Sequence, residues 1–84
     1  MNNEKPYTRR KKSDTEWRKY AGNLLKAELK RKGMTYADLA EKLKEIGIEE
    51  NGQNIGNTLS RGAFSFIFAL QCFKVIGVKE IRLD

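Results

Sequence analysis

The residues best suited to chemistry in this 84-residue chain are a short polar series, Gln53, Asn54, Asn57, Ser60 and Arg61. On a helix turning about 100° per residue, with Ile55 and Leu59 facing inward, all five fall more than about 110° from the buried direction. They share one outer face, and it carries amides where a solvated helix normally carries Glu and Lys. The carboxamides of Asn and Gln can make two hydrogen bonds to the major-groove edge of adenine, and Arg can do the same to guanine or neutralise a phosphate. The face holds no acid to repel phosphate. Gly56, which costs roughly 1 kcal/mol inside a helix, makes sense where a backbone must approach another surface closely. The competing reading, a polar connection on the surface, is weakened by the capped helix before it and by the basic segment that begins the chain.

Positioning such a face requires a framework, and the pattern predicts one of helices. A first helix starts at Asp14 as N-cap, with Glu16 in its first turn and Trp17, Ala21, Leu24, Leu25 and Leu29 at helical spacing. Lys30, Arg31 and Lys32 suit its negative end, and Gly33 stops it. Thr35 caps a second helix in a T-x-x-D box with Asp38; Leu39, Ala40, Leu43 and Ile46 form its buried stripe and Gly47 ends it. Asn51 either caps the third helix or makes an Asn-Gly reversal, and the cap is the favoured reading. Ser65 caps a fourth helix from Phe66 to about Ile76, ended by Gly77. That helix is apolar nearly all the way round and needs cover on more than one face. Ile81 and Leu83, two apart, point to a short C-terminal strand, which is unstable unless paired. The expected fold is therefore all-α, a small four-helix bundle plus a short C-terminal strand.

Composition bounds the function. The chain is long enough for one domain with a single core. The formal charge is +6, and Lys5, Arg9, Arg10, Lys11 and Lys12 against Glu4 put four of those six charges in the first twelve residues. Residues 1–13 lack aliphatic side chains and read as a flexible basic arm, able to follow phosphates or a minor groove, with a solubility-giving end as the alternative; residues 14–84 form the domain. With no histidine and one cysteine, Cys72, neither an intrachain disulfide nor a thiolate or imidazole metal site is available, and no cofactor is expected. No nucleophile stands beside a base and no glycine-rich phosphate loop occurs, so an enzyme is not expected. The apolar-rich run from Ala63 to Val78 is too short to span a bilayer, and the opening residues lack a signal peptide's apolar core. A cytoplasmic protein, associated with the nucleoid when bound to DNA, is the expectation.

Two further surfaces are suited to contact. Tyr36, in the first turn of the second helix, is placed to meet phosphate, as that turn does in a helix-turn-helix, or, equally, to pack over the turn. The fourth helix carries three of the chain's four phenylalanines, more than one small helical face can cover. A homodimer is expected there, with Phe68, Cys72, Val75, Ile81 and Leu83 at its interface.

These residues carry a resemblance. Leu25 through Gly62 resembles the lambda-repressor-like (Cro-type) helix-turn-helix domain, in Leu29-Lys30-Arg31-Lys32-Gly33-Met34-Thr35, then Leu39-Ala40 and Leu43, then Ile55, Leu59 and the closing Arg61-Gly62. Arg61-Gly62-Ala63-Phe64-Ser65, with Phe68 and Leu70-Gln71-Cys72, also resembles a bacterial domain family of unknown function built on the same pattern. The second helix and its turn are longer than in the Cro-type pattern, and Asn57-Thr58 replaces its usual Ser-x. The resemblance implies a helical bundle that binds duplex DNA in the major groove, usually as a dimeric transcriptional regulator. It puts Thr35 and Tyr36 near phosphate and Gln53, Asn54 and Asn57 near base edges.

The leading expectation is a sequence-reading binder of double-stranded DNA, a small repressor or autoregulator. One alternative is a protein-interaction module, such as an antitoxin or adaptor, that uses the apolar helix 65–77. Another is a sequence-indifferent nucleic-acid binder driven by the arm.

Overall fold

A computed structural model of the chain describes residues 13–83. The expected basic arm, with Lys5, Arg9, Arg10, Lys11 and Lys12, lies outside the described residues. Four helices follow one another: α1 (Asp14–Lys32), α2 (Tyr36–Glu45), α3 (Gly52–Arg61) and α4 (Phe66–Ile76).

Each helix begins where a side chain accepts an otherwise unpaired amide. Thr35 Oγ1 accepts from the Asp38 amide at 3.0 Å while the Thr35 amide donates to Asp38 Oδ2 at 2.9 Å. Asn51 Oδ1 accepts from the Asn54 amide at 2.8 Å, so Asn51 caps α3 and makes no hairpin reversal. Ser65 caps α4 through the Phe68 amide at 3.0 Å. The start of α1 corrects the sequence expectation: Ser13, not Asp14, is the cap, because only Ser13 stands three residues before Glu16 and completes a reciprocal box with it.

α1 and α2 each pack against both α3 and α4. Their shared core contains Leu25 and Leu29 of α1, Leu39 and Leu43 of α2, Ile55 and Leu59 of α3, and Ala69, Cys72, Phe73 and Ile76 of α4. Among the described residues no polar or charged side chain is buried. Two apolar residues expected inside are half exposed. Ile46 sits at the C-cap of α2, after the helical register has ended, and Ile48 packs against the core instead. Trp17 stands near the start of α1 and tilts against Tyr20, with ring centroids 6.0 Å apart.

No strand forms among the described residues, so the expected C-terminal strand is not part of the fold. A strand needs a neighbour to share its ladder, and the described residues supply none. The Val78 amide instead donates to the Phe73 carbonyl as α4 ends. The chain then turns back so that Ile81 and Leu83 line an apolar groove of about 460 Å³ with Leu24, Phe64, Phe66 and Phe73. No described helix is long and apolar enough to cross a membrane.

Candidate nucleic-acid interface

α3 is held by its own sequence in one rotational setting. Ile55 and Leu59 are buried, and Gln53, Asn54, Asn57, Ser60 and Arg61 are all exposed. The outer face inferred from helical periodicity is therefore bare of contacts with the core. Among the described residues, Arg61 makes no ion pair. Glu49 and Glu50 lie in the connection before α3, and the charge of Glu50 is felt by the Cys72 thiol in α4.

Three glycines set the depth at which α3 sits. A Cβ on Gly52 would stand 3.2 Å from the Ala37 amide nitrogen, so the starts of α2 and α3 meet backbone to backbone. At the opposite end, a Cβ on Gly22 of α1 would overlap the Leu59 carbonyl, and one on Gly62 would overlap the Arg18 carbonyl. Gly62 also has φ +69°, a conformation that side chains with a Cβ resist. Sequence reasoning had no reason to single out Gly22, because a mid-helix glycine shows its use only when another helix crosses there.

Gly56 also allows a close approach, and the surface that approaches is internal. The Tyr36 ring lies over Gly56, half buried and packed against the core. This is the packing role weighed for Tyr36, and it holds α2 against α3. Thr35 is exposed, with its hydroxyl engaged in the α2 cap. Foremost the Thr35 amide, donating to the carboxylate, and then the Thr35 hydroxyl beside it hold the Asp38 carboxyl below its ordinary value of 3.8. Beside it, Lys26, Leu29 and Lys30 of α1 join Met34, Thr35 and Tyr36 around a concavity of about 390 Å³.

The residues expected at a subunit interface separate into different environments. Cys72 is fully buried in the core and offers no surface to a partner, which corrects its assignment. Phe68 and Val75 pack partly against the core, while Ile81 and Leu83 are exposed. The open apolar surface of α4 is instead Phe66, Ile67 and Leu70, exposed by 70%, 67% and 48%. On a helix apolar all round, spacing alone does not say which side the other helices will cover.

Four capped helices with a bare amide face on the third define a class of small helical domain, and a family can be assigned to it. Residues 17–81 match a family described as a domain of unknown function (DUF6471), and the chain belongs to that family. No curated protein and no solved structure matches the chain. Membership of a family without assigned function agrees with the second resemblance seen in the sequence.

Proposed function

We propose that this protein is a helix-turn-helix binder of double-stranded DNA in which α2 and α3 form the motif and α3 enters the major groove. The observation that carries this reading is the exposure of Gln53, Asn54, Asn57, Ser60 and Arg61 together on α3, with no acid anywhere in that helix. Their hydrogen-bonding groups suit base edges, with Asn and Gln directed at adenine and Arg61 at guanine or phosphate. Thr35 is exposed next to Tyr36, which packs on α3, and in this reading meets a flanking phosphate, while the basic arm adds attraction for the polyanion. The Cro-type resemblance supports the same role, as a small cytoplasmic transcriptional regulator.

The protein acts in this reading as a homodimer, because paired half-sites match two-fold protein symmetry. Phe66, Ile67 and Leu70 mark a contact surface on α4, adjoined by the exposed Ile81 and Leu83. The same apolar surface favours a second reading, a protein-interaction module of the antitoxin or adaptor kind, in which α4 engages a different protein.

Selection of bound oligonucleotides from a random duplex pool, at ~150 mM salt to limit phosphate-only binding, tests the proposal. Enrichment of a two-fold symmetric motif is expected. Recovery of an unenriched pool would overturn sequence reading.

A further inference from the structure

α1 contributes a second, unassigned element to the molecular surface. Lys19, Lys26 and Lys30 fall within about 40° of one another on its helical wheel. The row lies on the α3 side of α1. Gly22, whose missing side chain admits the Leu59 carbonyl of α3, is the neighbouring position on the wheel. Ala21 and Leu24, which line the groove shared with Phe66 and Phe73 of α4, lie on the opposite flank. Lys19 and Lys30 are exposed and Lys26 is half buried. Among the described residues none of the three has a carboxylate partner within salt-bridge distance. The acids of α1 are placed elsewhere: Asp14 pairs with Arg18, Glu16 closes the cap and Glu28 pairs with Arg31.

The far end of this row meets the motif itself. Lys26 and Lys30 form one wall of the concavity whose other wall is Met34, Thr35 and Tyr36, and the Tyr36 ring rests on Gly56 of α3. A continuous surface thus runs from the lysine row across the start of α2 to the amide face. Lys19 and Lys30 are eleven residues apart, about 16 Å along the helix, a length that covers several phosphates of one DNA strand. A row of this length, unpaired among the described residues and bordering a hydrogen-bonding face free of acids, matches a duplex whose backbone flanks its groove.

We infer that Lys19, Lys26 and Lys30 of α1 form a phosphate rail that grips the DNA backbone beside the groove entered by α3. The inference rests on the duplex-binding reading above and names the backbone contact that would orient it. A rail of this kind contributes affinity and register without reading sequence.

The test uses the full chain and the duplex enriched in the selection, with a scrambled duplex beside it. Binding is measured over a salt series for wild type and for the triple variant Lys19→Gln, Lys26→Gln, Lys30→Gln. A control of equal charge change, Lys32→Gln, Lys74→Gln, Lys79→Gln, samples surface away from the rail. Loss of three phosphate contacts is expected to reduce the slope of log affinity against log salt by about 2 to 3, with the preference for the enriched duplex retained. The control is expected to keep the wild-type slope, and Arg at all three rail positions to restore it. A rail variant whose slope equals that of the control would overturn the inference while leaving base reading by α3 intact. A wild-type protein that binds no duplex would overturn both.

Discussion

The ring of Tyr36, from the first turn of α2, lies over Gly56 in the middle of α3: a Cβ on Gly56 would stand 3.0 Å from both Cδ2 and Cε2. Alanine is the better helix former by roughly 1 kcal/mol, but in this setting the added methyl must displace the ring. Gly56→Ala is therefore expected to yield little or no stability in the wild-type chain. In a Tyr36→Ala background the same change is expected to stabilise by about 1 kcal/mol. Urea unfolding of the double-mutant cycle measures the coupling. Equal effects in both backgrounds would show that the ring does not rest on Gly56.

Gly22 and Gly62 set how closely α3 approaches α1, and both would place a Cβ onto a backbone carbonyl that has no rotamer to give. Gly22→Ala is expected to cost about 3 kcal/mol, the upper range for overpacking, despite alanine's better helix propensity. Gly33 provides the contrast, since it has φ +67° but nothing within 4 Å of its Cβ position. Gly33→Ala is expected to cost only about 1 kcal/mol, the penalty of the left-handed backbone alone. Denaturation midpoints of the two variants, compared at equal slope, check the order.

Cys72 is enclosed by the core, and burial, with a smaller contribution from the charge of Glu50, raises its thiol from 9.0 to about 12. The fold holds this proton after the unfolded chain has released it. The stabilisation is fully present below about pH 9 and is lost as pH rises towards 12, because in that window the unfolded state binds fewer protons. Wild type is expected to lose more stability between pH 8 and pH 10.5 than Cys72→Val, which shares every other titrating group. The thiol is also expected to resist disulfide reagents at pH 8 until denaturant is added. Rapid labelling of the native protein would place Cys72 on the surface.

The parts of the fold legible in the sequence are those decided within one helical turn. Thr35 with Asp38, Asn51 and Ser65 are recognisable as caps because their side chains satisfy amides two or three residues away. Ile55 and Leu59 orient α3 because every other position of that helix is polar or small. The illegible parts depend on which surfaces meet. Gly22 is a weakness in α1 until α3 crosses it, and Gly56 accommodates the Tyr36 ring, which its position in α3 does not foretell. Cys72 and Phe66 are both apolar residues of α4, and only the packing of α1 and α2 decides that the first is core and the second surface. Ile81 and Leu83 alternate like a strand, yet an apolar groove lies closer to hand than any strand partner.

Base reading by α3 is tested most directly at Asn57, the residue pointing furthest from Ile55 and Leu59. Binding of wild type and Asn57→Ala to the enriched duplex and to its scrambled counterpart, at ~150 mM salt, separates recognition from attraction. Asn57→Ala is expected to lose about 1–3 kcal/mol on the enriched duplex, some five- to over a hundred-fold in affinity, and almost nothing on the scrambled one. An equal loss on both duplexes, or no loss on either, would contradict a recognition helix at α3.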